Sequence, residues 1–99
     1  MTIIEEQENR GCIVVVATGH AGYSANNDPV CAAVSILMHT LAENFKETAK
    51  IELKEEVPMA VIVFERSLKN IMTYRIIRKG FELLQEAYPD NVKIASSVF

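Results

Sequence analysis

The chain has 99 residues, 49% of them hydrophobic, enough for one small α+β-sized domain over 1–99 with a single core and no room for a second. A formal charge of −3 and a pI near 5.3 give no broad attraction to nucleic acid or to an anionic membrane. The longest apolar runs, such as Met59 to Phe64, fall far short of the roughly twenty residues that span a bilayer.

The N-terminus, Met1-Thr2-Ile3-Ile4-Glu5-Glu6, carries early acids and lacks the basic head and long apolar body of a secretion signal, so a cytoplasmic location is expected. Two cysteines, Cys12 and Cys31, are too few for a disulfide scaffold, and a reducing compartment keeps both as thiols; a bond between them stays open at this stage.

In chain order, residues 1–7 begin apolar and turn acidic, and Glu8-Asn9-Arg10-Gly11 reads as a turn into the β-branched run Ile13-Val14-Val15-Val16, which together make a hairpin. Glu5, Glu6 and Glu8 read as its solvated face. The second strand delivers Thr18-Gly19-His20 to a loop containing Gly22 and Asn26-Asn27, residue types that tolerate unusual backbone angles.

Asp28 is a good N-cap and Pro29 suits the first helical position, where its missing N–H has no intrahelical partner to lose. From Pro29 the positions Val30, Ala33, Val34, Leu37, Met38, Leu41 and Phe45 keep helical spacing, and the helix is expected to run to about Ala49. Lys50-Ile51-Glu52-Leu53-Lys54 alternates as a half-buried strand does. Glu55-Glu56-Val57-Pro58 then turns the chain into Met59–Glu65, whose continuous apolar character suggests an interior strand covered on both faces, a short buried helix being the alternative with the same pattern.

Ser67 can cap a last long helix from Leu68 to Ala87, ending before Tyr88-Pro89-Asp90-Asn91. Its apolar sector, which includes Met72, Tyr74, Ile76, Ile77, Phe81, Leu83 and Leu84, is wider than one sheet contact requires, so a second packed surface is expected, on the other helix or on another subunit. Gly80 permits close backbone approach there. Arg75, Arg78 and Lys79 read as the exposed face of this helix. Val92–Phe99 looks like a short final strand with an edge position. The order ββαββα with a final strand favours a two-layer α+β sandwich, two long helices on a largely antiparallel sheet.

The chemistry-bearing stretch is the junction of the second strand with the first helix. With Asp28 as N-cap, Cys31 stands at N3, where unpaired N–H groups and the helix dipole favour negative charge, the state in which a thiol is a nucleophile. A thiolate also needs a base and a donor for the oxyanion formed on attack at a carbonyl. His20 can supply the first and the first-turn N–H groups the second. The competing readings are a small apolar core cysteine and a loop histidine bonded only to backbone. His39 begins roughly 12 Å up the helix from Cys31 at 1.5 Å rise per residue, too far to act on it. Asp28 reads first as the structural cap, with a second option of orienting His20. Ser35, one turn past Cys31, either lines the same pocket or bonds back to a carbonyl. Cys12, His20, Cys31 and His39 match no compact zinc-site spacing, so no metal is expected. Gly19-x-x-Gly22 lacks the remainder of any phosphate-binding fingerprint.

Gly19-His20-Ala21-Gly22-Tyr23, followed by Asp28-x-Val30-Cys31-Ala32-Ala33-Val34-Ser35, resembles the bacterial ribosomal-processing cysteine proteases (the Prp family). Tyr88-Pro89-Asp90-x-Val92-Lys93-Ile94 is similar to that family's C-terminal segment. The resemblance implies that Cys31 is the nucleophile and His20 its general base and acid, with Asp28, Ser35, Gly22, Tyr23 and Asn27 supporting them or the substrate. It implies as substrate the N-terminal extension of large-subunit ribosomal protein twenty-seven, a homodimeric state, and no cofactor. The chain departs from the family pattern in two places. Only Ser24-Ala25-Asn26-Asn27 separates Tyr23 from Asp28, with Asn27 in the place of a turn glycine, and Pro29 replaces an aliphatic residue. A noncatalytic peptide-binding module is the alternative that the altered spacing suggests, and a purely structural dimer is a third.

Overall fold

The computed structural model describes residues 1–54 and 59–99, so the expected turn at Glu55-Glu56-Val57-Pro58 lies outside the described residues. Strands β1 (Thr2–Asn9) and β2 (Cys12–Thr18) form the expected hairpin, pairing from Asn9↔Cys12 to Ile3↔Thr18. Its turn is tighter than Glu8-Asn9-Arg10-Gly11: Glu8 and Asn9 belong to β1, and Arg10 (φ 52°) and Gly11 (φ 78°) alone reverse the chain. Two successive left-handed residues give the turn the same hand of twist as the strands it joins.

Helix α1 (Pro29–Phe45) follows, then β3 (Lys50–Lys54), β4 (Met59–Glu65), α2 (Leu68–Ala87) and β5 (Val92–Ser96). The strands form one sheet in the order β3-β4-β2-β1-β5, and every neighbouring pair is antiparallel except β1 with β5. Both helices pack on one face of it, so the expected two-layer α+β sandwich is the observed architecture. Ile4, Ile13, Val15, Ile62 and Phe64 project from the strands into a core completed by Val34, Met38, Leu41 and Phe45 of α1 and by Tyr74, Ile77 and Phe81 of α2. Phe45 and Phe64 stack with centroids 4.7 Å apart.

Two local expectations are corrected. Helix α1 stops at Phe45 rather than Ala49, because Phe45 is the last residue of its apolar face and Lys46, Glu47 and Thr48 are exposed. The Phe45 carbonyl accepts the N–H groups of both Thr48 (3.0 Å) and Ala49 (2.8 Å), which turns the chain towards β3. Strand β4 is interior within the sheet, paired with β2 and β3, but only its Ile62 and Phe64 face is buried. Val61 and Val63 are half-buried on the opposite face, alongside Val16 and Val14 of β2, and no helix of the described residues covers them. Ile77, in the apolar sector of the last helix, belongs to the core.

The hairpin's acidic face is corrected as well. Glu6 shares the face of β1 that carries Thr2 and Ile4, and it is 1% exposed. Arg78 of α2, expected in solvent, reaches it: Nε lies 2.8 Å from Glu6 Oε2 and Nη2 3.0 Å from Oε1. The Tyr74 hydroxyl donates to the same carboxylate, and the Phe99 ring covers both Tyr74 and Arg78. Burial first, and then the bond to Glu6, push the Tyr74 hydroxyl far above its ordinary value. The Glu6 bond raises the Arg78 guanidinium further, against partial burial.

Helix α2 spans Leu68–Ala87 as its periodicity indicates, with the Ser67 hydroxyl accepting the Asn70 N–H at 3.2 Å. At Gly80 the two helices come together: an added Cβ would lie 2.8 Å from Leu37 Cδ2, so no larger residue fits without displacing α1's side chain. Leu68, Met72, Ile76 and Leu83 remain exposed on the outer side of α2. Among the described residues, no helix is long and apolar enough to cross a membrane.

Candidate active site

Helix α1 holds Cys31 in place because its lower turns are anchored in the core through Val30 and Val34, 1% and 6% exposed. The expected cap is present: Asp28 has extended backbone (φ −62°, ψ 112°), Pro29 follows as the first helical residue, and Cys31 is at N3. Asp28 does more than cap. Its Oδ1 accepts the N–H groups of Val30 (2.8 Å) and Cys31 (3.2 Å), while Oδ2 accepts those of Tyr23 (2.9 Å) and Ser24 (3.1 Å). One carboxylate thus closes both the helix end and the loop before it. Partial desolvation acts to raise the carboxyl, but the N–H groups of Ser24, Cys31, Val30 and Tyr23 together hold it below the ordinary aspartate range.

This geometry corrects one chemical expectation. The first-turn N–H groups of Val30 and Cys31 are occupied by Asp28, so they are not the donors for an oxyanion. The N–H that reaches the sulfur comes instead from the strand side. The Ala21 N–H, in a residue 1% exposed, donates to Cys31 Sγ at 3.1 Å. The carbonyl oxygen of an attacked peptide would sit two bonds from that sulfur, within reach of the same N–H.

His20 immediately precedes Ala21. The His20 Cα is therefore no more than about 5.5 Å from Sγ, given standard backbone lengths and the Ala21 contact. Its side chain is exposed and makes no hydrogen bond among the described residues, which leaves the imidazole able to swing over the half-buried thiol. Asp28 makes no bond to His20 among the described residues; its oxygens go to backbone N–H groups.

The loop between them is shaped at both ends by left-handed residues, Gly22 (φ 73°) and Asn27 (φ 50°), the latter filling the turn position usually given to glycine. Gly19 (φ 87°) is required for a further reason: a Cβ there would lie 2.5 Å from the Met1 carbonyl oxygen. Tyr23 is 53% exposed and packs edge-on against Tyr88, centroids 5.2 Å apart. Ser35 is exposed one turn past Cys31, with its Oγ 3.4 Å from His39 Nδ1. His39 Nδ1 is 2.8 Å from the Ser35 carbonyl oxygen, which ties that ring to its own helix and away from the thiol. Cys12 opens β2, opposite Asn9 and Glu65, and both cysteines are free thiols.

Two supports of the site escape sequence reasoning. Asn91 Nδ2 donates to the Ala21 carbonyl at 3.0 Å, and Tyr88 supplies the aromatic wall for Tyr23. Both lie in the Tyr88-Pro89-Asp90-Asn91 turn, which is legible as a turn and as part of the family resemblance, but nothing local indicates a contact 70 residues back along the chain.

The site and fold define a small α+β protein with a free thiol in the first turn of a core helix, a backbone donor on its sulfur and a histidine next in chain to that donor. The comparisons with known proteins agree with that class. The model of the family described as cysteine protease Prp matches residues 1–93, and the chain belongs to this family of cysteine proteases. Among solved structures it is similar to the ribosomal processing protease Prp from S. aureus in complex with a covalently linked product peptide. That match has 16% identity and a TM-score of 0.83, and covers 98% of this chain and all of the other. A second S. aureus Prp structure, in complex with a substrate peptide, matches with the same identity and coverage and a TM-score of 0.78. SMU.848 from Streptococcus mutans matches at 23% identity and TM-score 0.75, over 97% of this chain and 93% of that one. No match was found among curated protein sequences.

Proposed function

We propose that this protein, as one domain over residues 1–99, removes the N-terminal extension of large-subunit ribosomal protein twenty-seven in the bacterial cytoplasm, with Cys31 as nucleophile and His20 as general base and acid. The observation that carries the assignment is the Ala21 N–H on Cys31 Sγ at 3.1 Å, because one contact gives the sulfur a donor and brings the His20 backbone alongside it. In the reaction, His20 takes the thiol proton as Sγ forms a bond to the scissile carbonyl carbon. The tetrahedral intermediate collapses to a thioester as the protonated imidazole gives its proton to the departing amine. Water, deprotonated by His20, then attacks the thioester, and the thiol is restored with release of the carboxylic acid. No metal or organic cofactor enters this scheme.

Asp28 supports the nucleophile by fixing the helix end, and Gly22, Tyr23 and Asn27 shape the loop that faces an incoming peptide. Ser35 stands on the exposed side of the same helix, one turn past Cys31, where it can line the same pocket. The S. aureus relatives bind a substrate peptide and a covalently linked product peptide, which supports a peptide substrate here. A homodimer is supported by the outer side of α2, where Leu68, Met72 and Ile76 are 77%, 59% and 77% exposed at four-residue spacing, a continuous apolar stripe.

The test is cleavage of the N-terminally extended ribosomal protein by purified wild type, Cys31→Ala and His20→Ala. Cys31→Ala is expected to give no cleavage, and His20→Ala a loss on the order of a hundredfold or more. Equal cleavage by wild type and Cys31→Ala would overturn the assignment.

A further inference from the structure

The loop that carries His20 and the Ala21 donor is held from across the molecule. The Ala21 carbonyl can only accept a hydrogen bond, so the Asn91 side chain must present its Nδ2, and it does so at 3.0 Å. Asn91 is itself fixed by both backbone groups: its N–H donates to the Tyr88 carbonyl (3.0 Å), and its carbonyl accepts the Thr2 N–H (2.9 Å). It is thus a rigid post between the end of α2 and the start of β1. On the other side of the same residue, the Ala21 N–H is directed at Cys31 Sγ. The two peptide planes that meet at Ala21 are therefore gripped at opposite ends, one by Asn91 and one by the thiol. Each plane is stiff, so loss of either grip leaves two dihedral angles to set where the other points. Gly22, next in chain, adds the greatest backbone freedom at that point, and the exposed Ser24-Ala25-Asn26-Asn27 segment beyond it offers no core contact to restrain the strand side.

We infer that Asn91 is a positioning residue for the reaction: its side-chain amide holds the His20-Ala21-Gly22 segment so that the Ala21 N–H stays on the Cys31 sulfur and His20 stays beside it. The inference rests on the assignment of Cys31 as nucleophile. Asn91 touches no reacting atom. Its effect is on the population of loops in which donor, base and sulfur are together, and it reads out in turnover rather than in substrate affinity.

Asn91 is not among the residues with positive φ, so Ala and Asp are both tolerated by its backbone. Asn91→Asp keeps the shape and removes the donor; Asn91→Ala removes the side chain without adding charge. Two measurements are made on wild type and both variants in the Cys12→Ser background. The first is the amide proton shift of Ala21 by NMR, which needs no substrate. The second is kcat and KM for the N-terminally extended ribosomal protein. In both variants the Ala21 amide resonance is expected to move upfield, as its bond to sulfur weakens. A fall in kcat of about tenfold, the effect of one hydrogen bond, is expected with KM within about twofold of wild type. A variant that keeps the wild-type Ala21 shift and kcat while folded overturns the inference, as does a loss expressed in KM alone. Should wild type not cut the extended protein at all, the assignment of function fails, and the Ala21 shift alone still decides whether Asn91 holds the donor on the sulfur.

Discussion

Substituting Arg78 with Met isolates the buried ion pair under α2. The Glu6 side chain is fully buried and the Arg78 side chain 16% exposed, so the pair is shielded from most water. Removal of the guanidinium leaves a carboxylate in the core with the Tyr74 hydroxyl as its remaining side-chain partner. Breaking a buried pair on one side costs roughly 3 to 5 kcal/mol, and the partial exposure of Arg78 favours the lower end, about 3 kcal/mol. The Phe99 ring, 5.3 Å from the guanidinium carbon, loses its cation as well, for about 0.5 kcal/mol more. The bond from Arg78 Nη1 to Glu82, a residue 41% exposed, adds little. For a domain of this size each kcal/mol lowers Tm by about 4 to 8 °C, so the drop is expected at roughly 14 to 28 °C. Thermal unfolding followed by circular dichroism measures it. The double variant Glu6→Gln, Arg78→Met is expected to recover more than half of the loss, because the neutral amide no longer needs the missing charge. A single-variant drop below about 4 °C, or a double variant no more stable than Arg78→Met, would refute the reasoning.

Two further outcomes are expected. The Asp28 carboxyl is held below its ordinary range in the folded chain, so its contribution to stability is present above the unfolded-state value and is lost as the pH falls through the lower folded one. Asp28→Ala is accordingly expected to melt below wild type at neutral pH, with the gap closing in strong acid; a gap that stays constant on acidification contradicts the cap-and-loop role. Ile76→Glu places a charge in the exposed stripe of α2 without touching the core; on the proposed homodimer, analytical ultracentrifugation is expected to find wild type as a dimer and this variant as a folded monomer. A dimer that persists in this variant removes the outer side of α2 as the interface.

The elements were legible because their signals are local. Ser67 and the period of the following apolar residues set α2 at Leu68–Ala87, and Asp28-Pro29 set the start of α1. The end of α1 was not, because Ala49 stands four residues after Phe45, in step with the helical period, and only the folded chain shows the Phe45 carbonyl receiving two N–H groups. Glu6 illustrates a long-range failure. Its parity with Ile4 on β1 points it inward, but a carboxylate in that direction makes sense only with Arg78, 72 residues later, across the layer. At the site, the register of Cys31 followed from Asp28 and Pro29 alone. The donor on its sulfur did not, since Asp28 takes the N–H groups at the helix end and the Ala21 amide arrives from the loop after β2. Asn91 was illegible for the same reason as Arg78: its partner is supplied by topology, through the parallel pairing of β5 with β1.

The two halves of the site are held with different strength. Cys31 rides on a helix bolted into the core at Val30, Val34 and Met38, whereas the exposed segment from Gly22 to Asn27 is retained by one carboxylate and an aromatic edge. Local opening of the loop therefore proceeds without unfolding the domain. The two halves are separable: substitutions among Ala25 and Asn26 can reshape the loop while the core packing that sets the sulfur stays untouched. A short loop of this kind gives the fold a place where surface can vary above a fixed helix.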